Sequence, residues 1–279
     1  MKKLFTAVLL ITALSFIPLE AEAAFFWGNS ATFGPEIIHK IDKDTGALIL
    51  NYTVSSGNGR GIVHVGDILY TTQVGDPNIY KTDANTGASL GSIFTEAASM
   101  STLGWDGSHF WTTDYTGSNR GFQMDITGHI VKTLSFEKAT GYMDGMEWFN
   151  SKLIVNRTDG GFGGSIVYDI YDLDGLLLQE AFITAPNGTG IAFDGTNFYV
   201  SNVYGSSVGI FDGVTGAHLS DLSLTGGSFL IEDLSFDYEQ RDDTGHGGGD
   251  NTVPEPASMM LMGSGLLGMI GLRKKKAKA

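Results

Sequence analysis

The sequence predicts an all-β fold, a β-propeller of five four-stranded blades, from three observations. A hairpin motif, with an Asp three or four residues before a Gly, recurs at intervals of 41, 41, 47 and 41 residues, counted at Gly46, Gly87, Gly128, Gly175 and Gly216. Two short apolar strands around a tight turn recur in the same phase, as in "LGWDGSHFWTTD" and "IAFDGTNFYVSN". Gly and Asp interrupt the chain every five to nine residues, which excludes sustained helical spacing. Four short strands in about 40 residues are typical of one blade.

The ends of the repeat region predict how the ring closes. The fifth repeat runs through "IEDLSFDYEQ" but has no counterpart of "NFYVSN" after it. The stretch "AFFWGNSATFG" stands just ahead of the first hairpin motif and can supply the missing strand. We therefore expect Phe25 to Asn29 to complete the last blade, because this pairing removes both exposed strand edges.

One position in each period carries a ring. Its occupants follow one another at intervals of 41, 43, 45 and 43 residues and are His64, Trp105, Trp148, Phe193 and Phe236. A ring that recurs once per blade is expected to fill the space between neighbouring sheets. A ligand-binding stripe is the alternative, and His64 is the odd member of the set.

The "DKDTG" and "DLDG" turns predict local backbone chemistry. A calcium loop aligned on Asp172 and Asp174 would need oxygen ligands at its first and twelfth positions, which are Ile170 and Ala181. That loop is excluded. We expect each turn Asp to accept backbone N–H bonds and each Gly to adopt a positive φ.

The first 23 residues are typical of a secretory signal peptide. A basic start at Lys2 and Lys3 precedes an apolar run, predicted as a signal helix, and an Ala21-Glu22-Ala23 exit. We expect export by the Sec translocase and cleavage by signal peptidase before Ala24. The chain has no Cys, so the propeller domain at 24–237 depends on its core and has no thiol chemistry.

The C-terminal region divides into two predicted parts. Residues 238–252 are rich in Gly and Asp and are expected to form a disordered linker. Residues 253–279 contain a short motif, an apolar run from Ala257 to Leu272 predicted as a transmembrane helix, and a basic tail, and the motif consists of Val253, Pro254, Glu255 and Pro256. Sixteen helical residues span about 24 Å, slightly less than a hydrocarbon core, and the basic tail stays cytoplasmic.

This C-terminal segment resembles the PEP-CTERM sorting signal. The resemblance implies exosortase as a partner, a transient inner-membrane anchor, and transfer to the cell surface or extracellular matrix. It also implies a Gram-negative host that produces exopolysaccharide. A plain permanent anchor is the alternative, although V-P-E-P would then serve no purpose.

Charge excludes some partners of the exported domain. Residues 24–252 hold 10 of the 17 Lys and Arg but 28 of the 31 Asp and Glu, a net charge near −18. This charge repels nucleic acids and anionic lipids. Neutral glycans, such as extracellular polysaccharide, and cations are the better matches, and we expect a monomer.

Polar residues follow the second strand of four blades and are expected to surround one mouth of the channel. They are Gln73, Asp114, Arg157 and Asn202, to which the adjacent Asn156 is added. One carboxylate, one guanidinium and several amides can bind a sugar or a cation, and the alternative is that they are ordinary loop residues. A glycine-rich loop from Asn156 to Ser165 lengthens the third interval and is a further candidate for ligand contact.

The "D-x-x-T-G" hairpins over residues 25–237 resemble secreted propellers with NHL, YVTN or gluconolactonase-type blades. Gluconolactonase-type enzymes hold a divalent cation with Glu, Asn and Asp, for which Asp114, Asn156 and Asn202 are available here and Ca²⁺ is the metal considered. No matching Glu heads the first blade, so the resemblance transfers no catalytic residue, and no cofactor is assigned. H-E-x-x-H and P-loop motifs are absent, and the six His residues lack metal-ligand spacing.

Three functions stay open at this point. The first is an exported, exosortase-processed propeller that acts as a binding or matrix-associated module. The second is a metal-dependent hydrolase or lyase of gluconolactonase type. The third is a structural surface protein, and the sequence favours a function without catalysis.

Overall fold

The computed structural model describes residues 25–30, 34–55, 57–139, 141–157, 165–227 and 229–240. The predicted signal helix, the C-terminal transmembrane helix and the sorting motif lie outside this part of the chain, as does most of the linker. Within it, no segment forms a helix of the length and apolar character needed to cross a membrane.

The described residues form twenty strands. The first ten are β1 (Phe25–Ser30), β2 (Glu36–Asp42), β3 (Leu48–Ser55), β4 (Gly59–Val65), β5 (Ile68–Gln73), β6 (Asn78–Asp83), β7 (Ser89–Phe94), β8 (Gly104–Trp105), β9 (Phe110–Thr113) and β10 (Arg120–Met124). The other ten are β11 (Ile130–Ser135), β12 (Met146–Phe149), β13 (Lys152–Arg157), β14 (Ser165–Tyr171), β15 (Leu177–Pro186), β16 (Gly188–Phe193), β17 (Asn197–Asn202), β18 (Ser207–Asp212), β19 (His218–Ser223) and β20 (Ile231–Ser235).

These strands make five antiparallel sheets of four, which confirms the predicted five-bladed propeller. Blade 1 is β4–β7, blade 2 is β8–β11, blade 3 is β12–β15 and blade 4 is β16–β19. The inner strands β4, β8, β12, β16 and β20 pack on one another around the ring.

The fifth sheet closes the ring as predicted. This closing blade has the order β20-β1-β2-β3, so the N-terminal strand lies between the C-terminal strand and the first hairpin. Trp27 pairs with Ser235 and Gly28 with Leu234. Residues from both ends of the domain therefore share one sheet, and the inner edge of this blade is covered.

The recurring ring position packs between blades, which confirms the structural interpretation for most of its members. Phe236 of the closing blade lies 4.8 Å from Tyr199 of blade 4, measured between ring centroids. Phe193 of blade 4 lies 5.6 Å from Phe149 of blade 3. His64 lies about 6 Å from both Phe25 and Trp27.

Glycine lets the inner strands approach closely. A Cβ added to Gly145 would lie 1.9 Å from the carbonyl oxygen of Thr189, and one on Gly190 would lie 2.2 Å from the Cα of Asp233. Backbone atoms cannot be displaced like a flexible side chain, so only Gly fits these two positions.

The hairpin turns follow the predicted chemistry. Asp42 Oδ1 accepts the backbone N–H groups of Asp44 and Thr45 and the Thr45 hydroxyl. Equivalent backbone bonds form at Asp83, Asp125, Asp172 and Asp212. The five turn glycines all have positive φ, between +68° and +88°. Local polar groups thus satisfy the backbone N–H donors of these turns.

The seam between β20 and β4 has additional hydrogen bonds. Three side chains of the closing blade, Asp233, Ser235 and Asp237, accept backbone N–H groups at 2.9–3.2 Å, and the donors are Ile62, His64 and Gly66 in that order. The chain continues from β20 with a buried Tyr238, whose hydroxyl donates to Glu147. Side-chain to backbone bonds therefore join the two blades that meet where the ring closes.

Candidate functional site

In each blade, the start of the inner strand and the end of the strand next to it, the second strand, lie on the same face of the ring. Gly59 at the start of β4 pairs with Gln73 at the end of β5, and Gly188 in β16 pairs with Asn202 in β17. We call this the mouth face. The turns between first and second strands and between third and fourth strands lie on the opposite face, the hairpin face.

Polar residues occupy equivalent positions near the mouth end of all five inner strands, four residues before the recurring ring. We call them the mouth cluster, and they are Arg60, Ser101, Asp144, Thr189 and Glu232. Most are buried, so their polar atoms depend on partners within the protein.

The mouth cluster joins separate blades. Arg60 Nη1 lies 2.5 Å from Glu232 Oε1, and Arg60 Nη2 donates to the Tyr115 hydroxyl at 2.8 Å. The Arg60 guanidinium also lies 4.5 Å from the Tyr115 ring centroid, within cation–π range. Ser101 Oγ donates to Asp144 Oδ1 at 2.7 Å. One cation thus faces two buried carboxyl groups.

Burial shapes the protonation of these carboxyl groups. It raises the pKa of Glu232 to about 7, against the opposing attraction of Arg60. Burial also raises the pKa of Asp144, which Ser101 and Arg60 oppose. Two carboxylates and one guanidinium in a desolvated space favour retaining a proton, so the cluster is sensitive to pH near neutrality.

Exposed apolar side chains lie around the mouth cluster on the same face. They are Val74, Tyr142, Tyr204 and Leu230, with exposed fractions of 39, 40, 61 and 40%. The Tyr142 ring lies 5.3 Å from that of Tyr115, which in turn contacts Arg60. We call these four residues the mouth rim.

The predicted site residues Gln73 and Asp114 are buried and hydrogen-bonded. Gln73 Nε2 donates to Glu36 Oε2 of the closing blade at 3.3 Å. Asp114 accepts from Arg120 at 2.5 Å, from the Ser118 hydroxyl and from the backbone of Thr116. Their polar atoms hold strand ends and loops in place on the mouth face.

The other three predicted residues lie in blades 3 and 4. Asn156 Oδ1 accepts the backbone N–H of Gly145 at 3.1 Å. Arg157 forms a partly buried ion pair with Asp169, 2.6 Å from Nε to Oδ2. Asn202 is partly exposed and lines a cavity of about 370 Å³ together with residues that include His218 and Asp221. Ligand binding by the five predicted residues stays a prediction.

Metal binding and catalysis also remain hypotheses. Over the described ranges, no three or more His, Asp or Glu side chains are grouped so that they could hold a metal ion. Residues 158–164 of the glycine-rich loop lie outside these ranges. The suggested Ca²⁺ site and the hydrolase alternative are therefore untested.

The mouth cluster and the mouth rim were missed from the sequence. The signal was available, because counting back four residues from each recurring ring gives all five cluster positions. The pattern was overlooked because those positions share no residue type. The rim was missed because its members lie in loops, where the repeat is weakest.

Comparisons with known proteins agree with the fold and with the C-terminal motif. Residues 252–276 match the family model of the PEP-CTERM protein-sorting motif. No curated protein matches the chain. Among solved structures, a chain in the "Crystal structure of Nidogen/Laminin Complex" is 13% identical with a TM-score of 0.53, over 78% of this chain and 99% of that one. This likeness concerns the fold alone.

Two other solved structures share less of the fold. The crystal structure of Myxococcus xanthus glutaminyl cyclase is 13% identical, with a TM-score of 0.46 over 65% of this chain and 71% of that one. That of the computationally designed Ika4 protein is 15% identical, with a TM-score of 0.38 over 56% of this chain and 91% of that one.

The predicted resemblance of the C-terminal segment to the PEP-CTERM sorting signal is confirmed by the family match at residues 252–276. The motif implies export, a C-terminal membrane anchor before processing, and recognition by exosortase. The chain is thus a five-bladed β-propeller that carries a PEP-CTERM protein-sorting motif at residues 252–276.

Proposed function

We propose that this propeller is an extracellular binding module that attaches to polysaccharide through its mouth face. The observation that supports it is the mouth rim, four exposed apolar side chains around a buried, charged mouth cluster. After processing by exosortase, the module resides at the cell surface or in the surrounding matrix of a Gram-negative host.

The chemistry of the mouth face suits a neutral glycan. Sugar rings present C–H faces that pack on tyrosine, and the hydroxyl of Tyr142 or Tyr204 can bond to sugar hydroxyls at the edge of the contact. Exposed apolar groups are common at interaction sites, and four of them lie on this face. The acidic charge of the domain disfavours polyanions, so an uncharged polymer is the better partner.

A binding experiment tests the mouth face. The full chain is mixed with insoluble exopolysaccharide from the producing strain, and the bound fraction is measured. We expect Tyr142→Ala combined with Tyr204→Ala to weaken retention at least about tenfold, because two aromatic contacts are removed. Val214→Ala, on an 86% exposed residue of the hairpin face, is the matched control and should bind like the wild type. Unchanged retention of the tyrosine variant would contradict the proposal.

A second experiment tests the sorting step. Replacing Pro254, Glu255 and Pro256 by Ala should leave the chain in the inner membrane at its unprocessed mass. The extracellular fraction and the apparent mass are followed by immunoblotting. An unchanged final location and mass would show that exosortase does not read this motif.

A further inference from the structure

We propose that a cavity on the hairpin face is a second binding site, one that takes a neutral saccharide unit. The cavity measures about 620 Å³ and lies between the closing blade and blade 1. Its wall includes Phe25 and Trp27 of β1, His64 at the end of β4, and Asp67 in the following turn. It is therefore separate from the mouth cluster and the mouth rim.

The cavity lies at the one blade in which the recurring ring position is not occupied by Trp or Phe. His64 occupies the recurring ring position, which is Trp or Phe in the other four periods. Imidazole is smaller than indole or phenyl, and the cavity lies at this seam. The substitution also brings ring nitrogens to a place where the other blades have a mainly apolar surface.

Two buried ring nitrogens in the cavity wall have no hydrogen-bond partner. Trp27 is fully buried and His64 is 3% exposed, yet Trp27 Nε1 and His64 Nδ1 are both unpaired. By contrast, the indole of Trp111 donates to Asp106 Oδ2 at 2.8 Å. Unpaired buried polar atoms are costly in a protein without a bound partner, and a ligand that supplies hydroxyl groups removes the cost.

Phe25 is partly exposed in the cavity and can receive the C–H face of a sugar, whereas Trp27 is fully buried. Phe25 and Trp27 meet edge to face, with ring centroids 6.2 Å apart. The Lys40 ammonium lies 3.6 Å from the Phe25 centroid and 5.5 Å from that of Trp27. Lys40 therefore brings an N–H donor to the edge of the aromatic wall.

The charged groups select a neutral ligand. Asp67, Asp237 and Glu239 line the cavity with Lys40 as the opposing cation, a net charge of −2 that disfavours anions. A simple cation would leave the indole donor of Trp27 unpaired and would be repelled by Lys40. Carboxylates need donors and the indole needs an acceptor, and each sugar hydroxyl can serve as both.

Part of this polar wall is already held in position. Asp237 Oδ1 accepts the backbone N–H groups of Gly66 and Glu239, both at 3.0 Å. Asp67 Oδ1 accepts from Asn85 Nδ2 at 2.9 Å. These bonds orient two carboxylates before a ligand arrives, which reduces the entropic cost of binding.

Titration with soluble sugars tests the site. The full chain, purified in a detergent without a sugar headgroup, is titrated with cellobiose, maltose and lactose and followed by tryptophan fluorescence and calorimetry. We expect at least one of these to bind saturably, with a Kd on the order of 1 mM. Glucuronate, the anionic control, should bind at least about tenfold more weakly.

Variants localise the binding. Asp67→Asn combined with Glu239→Gln removes two exposed carboxylates and should weaken binding at least about tenfold, whereas Asp44→Asn, on an exposed hairpin outside the cavity, should not. His64→Trp restores the ring of other blades and should abolish binding by filling the cavity. The tyrosine double variant of the mouth rim should bind these disaccharides like the wild type, which separates this site from the proposed function.

Three results would overturn the second site. They are the absence of saturable binding by all three disaccharides, an Asp67 and Glu239 double variant that binds like the wild type, and glucuronate binding as tightly as the neutral sugars. A folded variant is recognised by its unchanged circular dichroism spectrum. If His64→Trp does not fold, the carboxylate variant decides the question.

Discussion

The two faces of the ring differ in how closely the blades resemble one another. On the hairpin face, an Asp accepts backbone N–H groups in five outer turns, each followed by a glycine with positive φ. On the mouth face, the five equivalent positions of the mouth cluster hold Arg, Ser, Asp, Thr and Glu. Repetition therefore marks groups that maintain the fold, and variation marks groups whose role differs between blades.

The cavity beside His64 follows the same logic on the hairpin face. The cavity lies where blade 1 has His64 in place of the Trp or Phe of the other blades. The outer turns, by contrast, have the same Asp and Gly in every blade. Breaking a repeated feature should reduce stability, and changing a variable feature should mainly alter binding or pH response.

The largest effect is expected at the inner ring, the most constrained repeated feature. Gly190→Ala places a Cβ 2.2 Å from the Cα of Asp233 and 2.5 Å from the carbonyl oxygen of Glu232. We expect the free energy of unfolding to fall by at least about 3 kcal/mol, because backbone must move. Urea unfolding measures it, and Gly34→Ala, with no atom within 4 Å of the new Cβ, is the control. Equal stability of both variants would refute the close-packing argument.

A pH effect is expected from Glu232 in the mouth cluster. Its folded-state pKa is about 7, above its ordinary value of 4.5, so the folded protein holds this proton more tightly than the unfolded chain. The resulting stabilisation, up to about 3 kcal/mol, is complete below pH 4.5 and is lost as pH rises towards 7.

Urea midpoints at pH 5 and pH 8 measure this effect. We expect the wild type to be less stable at pH 8, and Glu232→Gln to reduce the difference, because Gln does not titrate. The pH dependence that Asp144 contributes in the same direction remains in the variant. If Glu232→Gln leaves the difference unchanged, the mouth cluster does not control it.

A smaller loss is expected at a hairpin-face turn. Asp106 accepts the backbone N–H groups of Ser108 and His109 and the indole N–H of Trp111. Asp106→Ala removes these bonds and should lower the free energy of unfolding by about 2 kcal/mol. Asp106→Asn keeps one acceptor oxygen and should lose less. Thermal unfolding ranks the two, and the reverse order would contradict the turn assignment.

The smallest effect on stability is expected at the mouth rim. Tyr204 is 61% exposed, so Tyr204→Ala should change the free energy of unfolding by no more than about 0.5 kcal/mol. Its retention on polysaccharide should nevertheless fall. A large loss of stability without a binding defect would show that Tyr204 stabilises the fold and does not bind polysaccharide.

Much of the fold could be predicted from the sequence, because its signals are local and periodic. Blade number, the closing strand at Phe25 and the turn chemistry at Asp42 each rest on a short pattern. The candidate site was harder to predict from the sequence. Arg60 and Glu232 are 172 residues apart in the chain, and no local pattern relates them.

The predicted polar residues of the mouth show the limit of pattern reasoning. Equivalent repeat positions place Gln73, Asp114 and Asn202 at the ends of corresponding strands. They do not reveal that Gln73 donates to Glu36 or that Asp114 is bonded to Arg120. Those contacts depend on how side chains pack after the blades have assembled.

The sequence by itself determined the architecture, the way in which the ring closes and the sorting motif, because each depends on residues close together in the chain or repeated at a fixed interval. Only the tertiary structure decided which polar groups meet and which remain unpaired. The mouth cluster and the cavity beside His64 both combine residues from different blades. Their burial, pKa and shape exist only once the closing blade lies against blade 1, because that contact brings Arg60 beside Glu232 and His64 beside Trp27.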